Sequence, residues 1–223
     1  MELRLDPSVK YGIVLEGGGA RGAYQIGAWK ALQEAGIAIG GISGASVGAL
    51  NGALMCMDDL DRACHIWENL TYSKVMNVSD ALIEKFRSKD LEIQDFQELG
   101  SAVGKALKDG GLDVTPLKDL IEETVDEERI RASERELFVI TYSLTDWKKV
   151  VINIKELSDG EMSDALLASA YFPAFKREKL GGKRYMDGGS ADNVPIEPLL
   201  EPGYKNLILI RIYALGRDSE PFF

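Results

Sequence analysis

The first 57 residues repeat one local pattern twice, and that repetition limits the possible folds more than any other feature of the chain. A short apolar run, Tyr11 to Leu15, ends in a glycine cluster and is followed by a helical segment, Ala23 to Ala35. Gly36 then stands where a helix C-cap residue belongs. A second apolar run, Ile37 to about Ser43, leads directly into a small-residue helix, Val47 to Met57. Strand, glycine-rich turn and helix in immediate succession predict an α/β layered domain whose central, mostly parallel sheet is flanked by helices.

Downstream, residues 58–131 read as helical and charged, with Phe96, Leu99, Val103 and Leu107 at helical spacing. That stripe is expected to pack on the core, the sharper alternative being a lid or lipid-facing helix. Gly110-Gly111 interrupts the stretch, and Thr115-Pro116 reads as an N-cap followed by Pro at the first helical position. Leu137 to Leu144 and Lys148 to Leu157 predict strands joined by a turn around Asp146. Asp164 to Ala170 is a small-residue helix, Gly181-Gly182 a hairpin turn, and Asn206 to Tyr213 a final buried strand. At 223 residues the expectation is one domain over 1–223, with a helical insertion or cap at about 58–131. The absence of a closing element after Ser-Glu-Pro-Phe-Phe fits a fragment of a longer protein.

The net charge of −10 argues against nucleic-acid binding, which needs a basic face, and against electrostatic capture by anionic lipid. Cys56 and Cys64 are expected to be ordinary reduced cysteines. No run approaches the ~18 consecutive apolar residues of a membrane span, and the N-terminus has no secretory signal. The expected location is cytoplasmic, with the option of peripheral contact with membranes.

Three constellations carry chemistry. Gly17-Gly18-Gly19-Ala20-Arg21-Gly22 lies between a buried strand and a helix, where successive N–H groups can converge on an anion. Gly17, Gly19 and Gly22 match the dinucleotide pattern G-x-G-x-x-G, but that reading requires an acid about 20 residues on. None occurs between Glu34 and Asp58. A P-loop is excluded because no Gly-Lys-Ser/Thr follows. The remaining use is an oxyanion hole, which requires a nucleophile nearby.

Gly44-Ala45-Ser46-Val47-Gly48 supplies one. In G-x-S-x-G the serine occupies a sharp strand-to-helix turn, and small residues such as Gly44 and Gly48 let strand and helix pass closely. The usual histidine partner follows late in the chain, whereas the single histidine, His65, comes soon after Ser46 on a helical stretch. An ordinary Ser-His-acid triad is therefore ruled out. The third constellation is Asp187-Gly188-Gly189, where an acid before two glycines can reach into a cleft, although in isolation a plain β-turn explains the same residues equally well.

Taken in order, these segments resemble the patatin-like phospholipase family, as do Ala168-Ser169-Ala170-Tyr171-Phe172-Pro173 and the stretch from Asp187 through Asn193-Val194-Pro195. The likeness runs from about Tyr11 to Tyr213. It implies a patatin-like three-layer sandwich and a Ser46–Asp187 dyad without histidine. It further implies oxyanion donors from Gly17, Gly18 and Gly19, with Arg21 supporting the loop or meeting a substrate phosphate. The expected activity is a serine acyl hydrolase acting through an acyl-enzyme on phospholipid, lysophospholipid or related lipid esters. Alternatives are an acyltransferase sharing that intermediate, a thioesterase or general carboxylesterase, and a non-catalytic lipid-binding module. No cofactor and no metal are expected; the partner is a lipid ester, at a membrane surface or dispersed, and the oligomeric state is not legible.

Overall fold

The computed structural model describes residues 5–76, 79–88, 108, 110–176 and 179–213. The stripe through Phe96, Leu99, Val103 and Leu107 lies outside them.

Strand β1 (Lys10–Leu15), helix α1 (Ala23–Glu34), strand β2 (Ala38–Ala45) and helix α2 (Val47–Met57) form in the order the sequence dictates. Gly36 follows the end of α1 with a φ of 68°, the left-handed conformation that a side chain would resist. The helices α3 (Leu60–Glu68), α4 (Asp80–Ser88), α5 (Thr115–Thr124) and α6 (Glu127–Ala132) come next. They are followed by β3 (Glu136–Ser143), β4 (Lys148–Asn153), α7 (Met162–Ser169), the two-residue β5 (Tyr185–Met186), α8 (Glu197–Leu200) and β6 (Leu207–Ile210).

The sheet runs β4-β3-β2-β1-β6, with β5 also paired to β3. β1 pairs in parallel with β2 and β6, and β2 with β3; β4 and β5 lie antiparallel to β3. Helix-covered parallel strands must be apolar on both faces. Accordingly Ile13, Val14, Leu15, Ile42, Leu137, Val139 and Ile140 are all fully buried.

Three details depart from the sequence expectation. Thr115 does not cap α5: Val114 occupies that position without a side-chain cap, and Asp113 accepts the Thr115 N–H at 2.9 Å. The second hairpin strand stops at Asn153, whose side chain accepts the Lys155 N–H and starts a short 3-10 turn over Ile154–Glu156. β6 is four residues long and forms a sheet edge, so Leu209 is exposed instead of buried.

Candidate active site

In parallel α/β sheets the loops beyond the carboxyl ends of the strands meet at one edge, where ligands bind. Glu16 and the glycine loop follow β1, Ser46 follows β2, and Asp187 follows β5 beside the end of β3. The topology brings all three constellations to that edge.

Ser46 adopts φ 54° and ψ −125° between β2 and α2. A non-glycine residue at positive φ is strained, and the surroundings must hold it there. Gly44 and Gly48 do so by close approach: a Cβ on Gly44 would strike the Gly48 backbone, and one on Gly48 would strike the Leu15 carbonyl. Ser169, on α7, completes the support. Its hydroxyl accepts the Ser46 N–H at 2.9 Å and donates to the Ile140 carbonyl at 2.6 Å.

Asp187 is 7% exposed. Its N–H donates to the Tyr171 carbonyl at 2.9 Å, and its Oδ1 accepts the Gly189 N–H at 2.8 Å. Gly188 is required because a Cβ would collide with the Ile140 carbonyl. Thr141 in β3 ties the same corner down by donating to the Met186 and Ala168 carbonyls. Ser46 and Asp187 line the same cavity, and the Ser46 hydroxyl is near enough to favour the charged form of the Asp187 carboxyl. Burial pushes the Asp187 carboxyl above its ordinary range, against the opposing effect of the nearby Ser46 hydroxyl and the Gly189 N–H.

The glycine loop divides its roles. The Gly17 N–H donates to the Asn193 carbonyl at 3.2 Å, and the Asn193 side-chain amide donates back to the Gly17 carbonyl at 3.2 Å. The Gly17 donor expected from sequence is therefore turned away from Ser46. Among the described residues the Gly18 and Gly19 N–H groups meet no acceptor. Gly19 has φ 58° and lines the same cavity as Ser46 and Asp187. Arg21 is exposed, and its guanidinium lies 4.5 Å from the Tyr213 ring centroid.

That cavity measures about 530 Å³, within the usual range for small-molecule sites. It runs from Ser46 along α2, past Leu50, Ala53 and Leu54 to Met57, and is walled by Ile66 and Trp67 of α3 and Leu117 and Ile121 of α5. Its lining is overwhelmingly apolar.

Other reactive groups stand apart. His65 is exposed on α3 and contacts Asn69. Cys56 and Cys64 are unpaired, and burial pushes the Cys56 thiol up to about 12, too high for a thiolate nucleophile at neutral pH. Among the described residues no three His, Cys, Asp or Glu side chains converge as metal ligands would.

Sequence reasoning assigned no role to Ser169 or Asn193, and did not reach Asn51. Asn51, buried on α2, donates to the Gly22 carbonyl and to Gln25 and accepts the Trp67 indole N–H, joining α1, α2 and α3 beneath the loop.

VipD from Legionella pneumophila superposes with a TM-score of 0.58 at 18% identity, covering 90% of this chain and 49% of that one. The neuropathy target esterases sws of Drosophila sechellia and Drosophila persimilis are each 62% identical over 47 residues, 21% of this chain. The match spans 3% of the length of those relatives. The patatin-like phospholipase family profile matches residues 13–200. The chain belongs to the patatin-like phospholipase family.

Proposed function

We propose that the protein is a lipid acyl hydrolase in which Ser46 is the nucleophile and Asp187 its general base. The observation that carries this reading is that Ser46, on a strained strand-to-helix turn, and the buried Asp187 carboxylate line one end of a long apolar cavity. The fatty-acyl chain lies along α2 and its ester carbonyl sits over Ser46. The Ser46 oxygen attacks that carbonyl while its proton passes to Asp187, and the Gly18 and Gly19 N–H groups receive the developing oxyanion. Collapse expels the alcohol, which takes the proton from Asp187 and leaves an acyl-Ser46 ester. Water then gives a proton to Asp187 and attacks the ester. The second tetrahedral intermediate releases fatty acid, and the proton returns to Ser46.

A free aspartate is a weak base towards a hydroxyl. The upward push on Asp187 strengthens it in the needed direction, since a base works best when its pKa approaches the working pH. The family membership and the esterase relatives support ester hydrolysis.

Reaction with a fluorophosphonate probe followed by peptide mass spectrometry tests the assignment. A single adduct on Ser46, absent from Ser46→Ala, together with Ser46-dependent release of fatty acid from lysophospholipid, is expected. A folded protein that neither labels at Ser46 nor releases fatty acid would refute it.

A further inference from the structure

The net charge of −10 conceals a local reversal. Residues 147–149 and 176–184 together contain seven basic side chains and one acid. The fold joins these two stretches. The Leu144 N–H donates to the Arg184 carbonyl at 2.9 Å, the Arg184 N–H to Thr145 Oγ1 at 3.0 Å, and Lys183 pairs with Asp146 at 2.7 Å. Lys149 is paired to Asp192 and Glu197. Lys148, Lys176, Lys179 and Arg184 are exposed and have no carboxylate within ion-pair distance among the described residues.

At the tip of the β3–β4 hairpin, between Asp146, which pairs with Lys183, and the exposed Lys148, stands Trp147, 77% exposed. The loop beneath it is braced by Ser143, which donates to Asp146 at 2.9 Å and accepts the Asp146 N–H at 3.0 Å. Large aromatic side chains are normally covered; one held out on a braced loop among cations fits a lipid–water boundary, where indole rings settle.

The position relative to the site follows from strand order. β3 runs parallel to β2, so the hairpin projects from the same sheet edge as Ser46. Ser143 lies two residues beyond Thr141 on β3, about 7 Å further out at the rise of a strand. A second exposed aromatic, Tyr24 at 65%, stands at the start of α1, just after the glycine loop that follows β1.

We infer that this edge is an interfacial docking surface for an anionic phospholipid bilayer, with Trp147 entering the headgroup region and Lys148, Lys176, Lys179 and Arg184 meeting lipid phosphates and carboxylates. The inference deepens the lipid-hydrolase reading, because docking here sets the mouth of the Ser46 cavity against the substrate surface. Each basic side chain near an anionic leaflet adds to the attraction, so reversing two of them predicts at least about a ten-fold loss of binding.

Flotation with vesicles of phosphatidylcholine alone and of phosphatidylcholine with 30% phosphatidylserine tests it, using the Ser46→Ala protein so that turnover does not intervene. Preferential binding to the phosphatidylserine vesicles, weakened by salt, is expected. Lys148→Glu/Arg184→Glu should lose at least ten-fold, and Trp147→Ala should bind more weakly than the parent on both compositions. All variants should keep the parental melting temperature and, with Ser46 restored, the parental rate on a soluble short-chain ester. Equal binding to the two compositions, no binding to either, or variants that float like the parent would overturn the docking surface. Retained docking without Ser46-dependent hydrolysis would instead overturn the proposed function alone. An acidic protein as occupant is the outcome that absent flotation would leave to be tried.

Discussion

The Ser169 hydroxyl links Ser46 to strand β3: it accepts the Ser46 N–H at 2.9 Å and donates to the Ile140 carbonyl at 2.6 Å. Removing it leaves a buried amide and a buried carbonyl each short of a partner, which costs about 1–3 kcal/mol. It also releases the strained Ser46 backbone, and a shift of about 1 Å at a reacting atom can cost roughly 10² in rate. Ser169→Ala is expected to lower kcat by one to two orders of magnitude while leaving KM nearly unchanged. Steady-state kinetics with a urea melt on the same protein would check it. Unchanged kcat would make Ser169 a packing residue only.

Substitution of Asp187 is predicted to move activity and stability in opposite directions. Its folded pKa is raised from 3.8, first by burial, so the ionised form is disfavoured in the folded state. Below 3.8 the group is protonated folded or unfolded and contributes nothing. As pH rises from 3.8 through the elevated folded pKa the unfolded chain releases its proton more readily, so stability falls. Above that window the loss is complete. Asp187→Asn is therefore expected to abolish turnover yet raise the melting temperature at pH 7. The acid limb of kcat/KM should lie above the ordinary aspartate range. A variant that melts lower at pH 7 would contradict the burial argument.

The parts of the site that were legible in sequence are those that force an unusual local backbone. Ser46 needs glycines at both flanks, and Asp187 needs Gly188 against Ile140, so these requirements are written in consecutive residues. Ser169 and Asn193 act on partners far away in sequence, Ser46 and Gly17, through single polar side chains that no periodicity marks. The same holds for the cavity, whose walls come from α2, α3 and α5. β5 is two residues long and carries no alternation to detect. The edge position of β6 depends on strand order, and its apolar Leu-Ile-Leu-Ile run reads the same whether one side is covered or not.

Ala53 lies on the α2 wall of the cavity, where a larger side chain would shorten it. It lies seven residues beyond Ser46, about 10 Å at the rise of an α-helix, and lines the cavity. Ala53→Leu fills that point without introducing polarity. Hydrolysis of short acyl esters should change less than two-fold, whereas long-chain esters should lose at least about ten-fold in kcat/KM, the scale of one or more excluded methylenes in an apolar pocket. A parallel loss across all chain lengths would mean the acyl group lies elsewhere.

Glu16 holds the glycine loop from behind. It is 1% exposed, and its carboxylate accepts from Arg211 at 3.0 Å, from the Ile212 N–H at 2.7 Å and from the Tyr213 N–H at 3.2 Å. The segment so anchored packs Ile212 and Tyr213 against Gly18, while Arg21 stacks on the Tyr213 ring. Gln has the same shape but turns one acceptor into a donor that faces backbone N–H groups. Glu16→Gln is therefore expected to cost about 1–3 kcal/mol of stability. It should also loosen the Gly18 and Gly19 donors, lowering kcat and the rate of fluorophosphonate inactivation together while KM holds. Arg211→Ala leaves both backbone bonds to the carboxylate in place and should disturb those rates less. Were Arg211→Ala the more damaging of the two, the loop would depend on the ion pair and not on the anchored backbone of Ile212 and Tyr213.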